Sequence, residues 1–274
     1  MHKIILKNVF VLIIICLLTA CSLNNITDKP QYQQYFADNN ATGSFAIFDN
    51  ATGQFFIYNL KRFSDSAYLP ASTFKIMNGL IALETGVVQN QHQLFKWDKK
   101  IRLYPNGDTA FTWNKDLTFK EAFQASAVPI FQQIATNIGN EKMQFWLDSC
   151  KYGNKNIGND ITRFWLNNDL LITADEQLGF IKRLYFTKLP FQKRSQDIMK
   201  KCFIVEENKN IKIIYKTGFG FNKNEHSIGW VLGWIEAFNH PYFFVLNVEA
   251  SKNAQIPTIR KNILDNILKD FFKL

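Results

Sequence analysis

Ser72-Thr73-Phe74-Lys75 places a hydroxyl three residues ahead of an amine, one helical turn apart and on the same side of a helix. A serine hydroxyl is a weak nucleophile at neutral pH and needs an adjacent base. A lysine serves as that base only where burial depresses its pKa. Phe74, Ile76, Met77, Leu80, Ile81 and Leu83 make the segment apolar on nearly every side, so Lys75 is expected to be buried with its helix. Lys216-Thr217-Gly218 follows the strand-like run Ile211 to Tyr215, which would put a cation, a hydroxyl and a glycine at a strand end. A glycine there admits a ligand close to the backbone. Ser126-Ala127-Val128 interrupts a helical stretch ahead of Pro129. Each group alone recurs by chance, but the three together point to nucleophilic catalysis by Ser72.

The elements that must position these groups are legible in the hydrophobic pattern. Ser44 to Phe48 and Gln54 to Tyr58 flank Asp49-Asn50-Ala51-Thr52-Gly53 as two strands joined by a turn. From about 72 to 200 the pattern is mostly helical, broken at Thr85-Gly86, Pro105-Asn106-Gly107, Tyr152-Gly153-Asn154 and Leu189-Pro190. Strand character returns at Ile211 to Tyr215, Ile228 to Ile235 and Tyr242 to Val248. After Pro257, Ile259, Ile263, Ile267 and Phe271 recur every four residues beside Leu264 and Leu268, an amphipathic helix that can pack on a sheet. The expected fold class is α/β (α+β): an antiparallel sheet built from both ends of the chain and flanked by terminal helices. An all-helical subdomain over about 87–200 is inserted in it, and residues 43–274 form one domain.

Ahead of the domain, Lys3 and Lys7 precede the apolar run Val9 to Leu18, the length of a signal h-region and too short to span a membrane comfortably. Leu18-Thr19-Ala20-Cys21 resembles a bacterial lipobox, so residues 1–20 are expected to be a cleaved signal peptide. Cys21 would be the lipidated first residue of a membrane-anchored, exported protein on the periplasmic side. Residues 21–42, rich in Asn, Asp and Gln, would form a tether. Without Lys3 and Lys7, the 32 basic residues fall to 30 against 23 acidic ones, and the net charge of +9 falls to +7. The remaining charge is scattered, so nucleic acid is excluded as a partner. Cys16 leaves with the signal, so only Cys150 and Cys202 could pair, and the sequence leaves that open.

In the order Ser72-x-x-Lys75, Ser126-Ala127-Val128 and Lys216-Thr217-Gly218, the chain resembles the class D, oxacillinase-type serine β-lactamases of the penicillin-recognising superfamily. Tyr152-Gly153-Asn154, Phe164-Trp165-Leu166 and Arg260 after Pro257 carry the same resemblance, which spans roughly residues 43–272. It implies that Ser72 attacks the lactam carbonyl to form an acyl-enzyme. Lys75, carboxylated on its side-chain nitrogen by CO2 or bicarbonate, would be general base for acylation and deacylation. Val128 would keep the pocket dry and the Trp165 indole N–H would hold a carbamate oxygen. The backbone N–H groups of Ser72 and Phe219 would form the oxyanion hole. Ser126 and Lys216 would relay a proton to the lactam nitrogen. Ser126, Thr217, Gly218, Phe219 and Arg260 would bind substrate, with Thr217 and Arg260 on its carboxylate. Tyr152-Gly153-Asn154 would shape the site wall. No metal and no further cofactor are implied.

The same Ser, Lys and Lys-Thr-Gly serve penicillin-binding transpeptidases and β-lactam sensors, which are acylated without turnover. Val128 and Trp165 argue against a transpeptidase, and no second apolar run of about 18 residues offers a sensor's membrane module. No H-E-x-x-H or G-x-S-x-G occurs, and Lys223 occupies the last glycine position of the pattern begun at Gly218-Phe219-Gly220. Nothing in the pattern bears on oligomeric state.

Overall fold

Two long strands with apolar residues on both faces fix the centre of the molecule. Ser227–Ala237 and His240–Ala250 are buried almost throughout, because each lies inside a sheet covered on both sides. The computed structural model describes residues 25–104, 108–207 and 211–273, so the signal segment and Cys21 fall outside it.

The strands in chain order are β1 (Ile26–Asp28), β2 (Thr42–Asp49), β3 (Gln54–Tyr58), β4 (Ala67–Tyr68), β5 (Leu94–Phe95), β6 (Leu117–Thr118) and β7 (Ile172–Thr173), followed by β8 (Ile204–Glu207), β9 (Ile211–Phe221), β10 (Ser227–Ala237) and β11 (His240–Ala250). The helices are α1 (Gln33–Ala37), α2 (Leu60–Asp65), α3 (Lys75–Glu84), α4 (Phe119–Gln124), α5 (Val128–Ile138), α6 (Asn140–Cys150), α7 (Ala174–Tyr185), α8 (Lys193–Lys200) and α9 (Ile256–Phe272). The main sheet runs β1-β3-β2-β11-β10-β9-β8. Its two halves meet where β2 pairs antiparallel with β11, Phe45 opposite Leu246 and Ile47 opposite Phe244. The sheet is thus assembled from both ends of the chain, as the pattern predicts.

One face of the sheet packs on α9 and α1 through Ile256, Ile263, Ile267, Tyr32 and Phe36, the other on α3, α7 and the inserted segment. Helix α3 has no solvent face from Lys75 to Leu83. It stands as the buried axle between sheet and insertion.

Three expectations need correction. Residues 26–42 are not a free tether, because β1 pairs in parallel with β3 and Tyr32 and Phe36 are buried against Phe45 and Tyr58. The aromatics in this Asn- and Gln-rich stretch outweigh its polar composition, since each buries a large apolar area. The insertion is not purely helical: it contains the β5–β6 ladder, its strand β7 pairs with β4, and α7 turns back onto β10 and β11. Finally, Lys216-Thr217-Gly218 lies in mid-strand, because β9 continues to Phe221 through two glycines. Those glycines mark close contact with a neighbouring turn, not a strand end. Cys150 and Cys202 are both buried free thiols, pushed up to about 12 by burial.

Candidate active site

Residues 70–73 make a tight turn into α3, with Ala71–Phe74 in 3-10 geometry. Ala71 adopts φ of +49°, a left-handed conformation that costs an L-residue with a Cβ about 1–2 kcal/mol. The strain is held by contacts on three sides. The Ala71 N–H donates to the Trp165 carbonyl at 3.1 Å, the Trp230 indole donates to the Leu69 carbonyl at 2.9 Å, and the Thr73 hydroxyl donates to the Pro70 carbonyl at 2.7 Å. Ser72 is thereby presented at the mouth of α3 with 8% of its surface exposed.

Lys75 Nζ donates to Ser72 Oγ at 2.9 Å. The lysine is fully buried, its Nζ 5.4 Å from the centre of the Phe131 ring. Burial alone lowers its pKa to about 7, because an ammonium loses its hydration there and gains no carboxylate in return. A neutral amine beside a serine hydroxyl can take that hydroxyl's proton.

A second amine and hydroxyl meet nearby. Lys216, fully buried on β9, donates to Ser126 Oγ at 2.6 Å and to the Thr217 carbonyl at 2.8 Å. Its pKa lies well below the usual lysine value, first through burial and then through repulsion by Lys75 and Arg260. Ser126 has a positive φ of 54° between α4 and α5, which turns it out of the helical run toward β9. Val128 opens α5, and Phe131, which faces Lys75, follows three residues later.

The two glycines of β9 set how closely strand and turn approach. A Cβ on Gly218 would lie 2.9 Å from the Pro70 carbonyl oxygen, and one on Gly220 would lie 2.7 Å from a methyl of Leu69. Strand β8 pairs with β9 only as far as Tyr215, so among the described residues one edge of β9 carries no strand from Lys216 onward. Strand alternation puts Thr217 and Phe219 on the α9 face, opposite Lys216 and Gly218. From α9, Arg260 Nη1 donates to the Gly218 carbonyl at 2.8 Å, and burial lowers its pKa to about 10. A cleft of about 600 Å³ opens beside Phe219 and Phe221.

Trp165 is fully buried, stacked on Phe74 with ring centres 5.3 Å apart, and its indole Nε1 has no hydrogen-bond partner among the described residues. A buried donor without a partner is costly and marks a place for an acceptor. With the depressed Lys75 amine, this fits a small anionic group on Nζ, since only a neutral amine reacts with CO2. Tyr152 meets Phe74 edge-to-face, with ring centres 5.9 Å apart.

Sequence reasoning thus located Ser72, Lys75, Ser126, Val128, Lys216 to Phe219 and Arg260 in one region, with Trp165 behind it. It missed Gln177, Trp230 and Asn168, which hold the backbone around the site. Gln177 binds Thr73, Trp230 binds Leu69, and Asn168 donates to the Phe221 carbonyl at 3.0 Å. None carries a motif. The Thr173-x-x-Glu176 capping box, which starts the helix that holds Gln177, was the one available signal.

The model of the penicillin binding protein transpeptidase domain matches residues 27–269. The chain is 38% identical to β-lactamase OXA-10 of Pseudomonas aeruginosa over 94% of each protein, and 35% identical to β-lactamase OXA-48 of Klebsiella pneumoniae over 88% of each. Among solved structures it is similar to the class D β-lactamase FUS-1 (OXA-85) of Fusobacterium nucleatum. That comparison gives a TM-score of 0.81 and 32% identity, covering 89% of this chain and 98% of that one. A class D β-lactamase from Sebaldella termitidis gives 0.82 and 30%, covering 91% and 98%.

Proposed function

Since the chain belongs to the class D serine β-lactamases, we propose that its hydrolysis of β-lactam antibiotics runs through a Ser72 acyl-enzyme with Lys75, carboxylated on Nζ, as general base. The 2.9 Å contact between Lys75 Nζ and Ser72 Oγ in a fully buried setting carries this reading. Lys75 accepts the Ser72 proton as Oγ bonds to the lactam carbonyl carbon. The backbone N–H groups of Ser72 and Phe219 take the developing oxyanion charge. The ring C–N bond then breaks, and its nitrogen receives a proton from the Ser126 hydroxyl, which Lys216 resupplies. Once the proton that Lys75 took from Ser72 has passed on to replenish Lys216, water attacks the resulting ester. Lys75 takes the water's proton and returns it to Ser72 Oγ as the ester C–O bond breaks, and the ring-opened acid is released. The carboxyl group on Nζ, when bound, supplies an anionic base in a pocket that lacks one, with the Trp165 N–H as its donor and Val128 and Phe131 excluding water. Thr217 and Arg260 hold the substrate carboxylate, Arg260 by a charge-assisted contact.

The test uses purified residues 22–274 and a chromogenic β-lactam, with and without bicarbonate, following turnover and covalent mass. Sustained turnover with a transient Ser72 adduct is expected. A single burst with a lasting adduct would assign the chain to the acylated, non-hydrolysing transpeptidases or sensors. Turnover that survives Lys75→Ala would overturn the base assignment.

Export and lipidation at Cys21 belong to the same proposal. Because β1 begins at Ile26, only residues 21–25 separate the proposed lipid from the sheet, a reach of about 15 Å. The domain would sit against the membrane surface. Fractionation of the full chain should move it from the detergent phase to the aqueous phase on Cys21→Ser, and an unchanged distribution would count against the anchor.

A further inference from the structure

Gln177, on α7, is fully buried and uses both ends of its amide. Its Nε2 donates to Thr73 Oγ1 at 2.8 Å, and its Oε1 accepts from the Tyr152 hydroxyl at 3.4 Å. The direction of this chain is fixed. The single Thr73 hydroxyl proton goes to the Pro70 carbonyl, which can only accept, so Thr73 must accept from Gln177. The amide oxygen then faces Tyr152, whose phenol burial keeps protonated and donating.

We propose that Gln177 is a positioning residue that fixes the strained turn at 70–72, and with it the Ser72 hydroxyl and N–H, for acylation. The proposal rests on Ser72 being the nucleophile. The strain at Ala71 needs an external restraint, because a left-handed alanine relaxes once its surroundings allow it. The restraint comes from a rigid base. Helix α7 is anchored on the sheet through Phe180, Ile181 and Leu184, and its entry strand β7 pairs with β4, the entry strand of the turn, Ile172 opposite Tyr68. Thr73 and Gln177 each lie five residues beyond that register pair, so the hydrogen bond between them closes a loop begun by the ladder. Pro70 is the residue that Gly218 abuts, and a shift of its carbonyl would move the turn against the strand that binds substrate.

The experiment measures the acylation rate constant by stopped flow with a chromogenic β-lactam, per active site titrated by covalent mass, in Gln177→Met, Thr73→Val, the double variant and Thr73→Ser. Displacing a reacting atom by a fraction of an ångström to 1 Å costs on the order of tenfold to a hundredfold. That loss is expected in each of the first two variants, with non-covalent substrate affinity within about twofold of wild type. The double variant should lose less than the product of the two single losses, since both variants remove the Gln177–Thr73 bond, while Thr73→Val also removes the bond to Pro70 and Gln177→Met the one from Tyr152. Thr73→Ser keeps the hydroxyl and should restore the rate. Per-site rates equal to wild type, multiplying losses in the double variant, or a Thr73→Ser enzyme as slow as Thr73→Val would each overturn the proposal. If Gln177→Met does not fold, the Val and Ser variants of Thr73 together with Tyr152→Phe decide it by the same rates. A wild-type protein that forms no adduct would sink the acyl-enzyme reading and the positioning role together, whereas normal acylation of both wild type and variants sinks the positioning role alone.

Discussion

Lys216 donates to Ser126 at 2.6 Å although 90 residues separate them in sequence. The contact ties mid-strand β9 to the break between α4 and α5, and its geometry parallels that of Lys75 and Ser72 at 2.9 Å. The two lysines are not independent, because the charge of Lys75 is among the causes that depress Lys216. Two buried ammonium groups cannot both be charged cheaply. Any process that removes positive charge from Lys75 therefore favours the protonated, donating form of Lys216.

Replacing Ser126 with alanine deletes the hydroxyl that Lys216 binds, the proposed proton donor to the substrate nitrogen, while leaving the backbone turn in place. Turnover is expected to fall by about 10²–10⁴, the usual worth of a positioned proton donor. Steady-state kinetics on a penicillin checks this, with circular dichroism to show the fold is kept. A loss below about fivefold would remove Ser126 from the proton path.

Stability should depend on pH through Lys75 in a defined direction. Burial lowers its pKa to about 7 in the fold from the ordinary lysine value of 10.5. Between those values the unfolded chain binds the extra proton, so stability rises with pH from about 7 to 10.5 and the penalty is complete below about 7. Lys216 pushes the same way. Lys75→Met removes one penalty and should stabilise the inactive protein by a few kcal/mol at pH 6.5. The gain should shrink toward pH 10. Thermal unfolding in CO2-free buffer at both pH values measures it, and an equal shift at both would contradict the account.

The readable parts of this fold were those with a local pattern. The turn between β2 and β3 marks a hairpin, and the apolar runs of β2, β10 and β11 and the four-residue repeat of α9 each report burial directly. The end of β9 was misplaced because Gly218 and Gly220, read alone, weaken a strand, whereas here they make room for Pro70 and Leu69. That room is a tertiary fact. Residues 26–42 misled in the opposite way, since composition argued for a tether while Tyr32 and Phe36 were enough to dock it. Among site residues, those with reactive side chains were found by type and spacing. Gln177, Trp230 and Asn168 act through carbonyls and hydroxyls distant in sequence, and residue type alone gives them no signal.

Gly218→Ala tests the approach of strand and turn. Its methyl would meet the Pro70 carbonyl at 2.9 Å and Thr73 Cγ2 at 3.1 Å, both on the rigid turn. Overpacking of this kind costs about 1–3 kcal/mol in stability, but the larger effect should be on catalysis, because the turn that moves carries Ser72. A fall of about a hundredfold in kcat/KM is expected. Gly220→Ala meets the end of a side chain, a terminal methyl of Leu69 at 2.7 Å, instead of backbone, and should cost much less. Parallel kinetics on the two variants decides it, and equal losses would refute the special role of the Gly218 contact.

Trp165→Phe separates the packing of the indole from its N–H. The stack on Phe74 and the edge contact with Phe164, with ring centres 5.1 Å apart, survive in outline when the ring is shortened. What disappears is a buried donor that has no partner among the described residues. Removing an unsatisfied donor relieves a desolvation cost of about 1–3 kcal/mol, which offsets the cavity left by the smaller ring, so stability should change little. If the N–H serves an anionic group on Lys75, however, the variant should lose that group more readily. Activity should then fall, and the bicarbonate concentration needed for half-maximal turnover should rise by about tenfold, the worth of one charge-assisted hydrogen bond of about 1.5 kcal/mol. Titrating turnover with bicarbonate in both proteins measures this. A variant with an unchanged bicarbonate midpoint would leave Trp165 as a packing residue only.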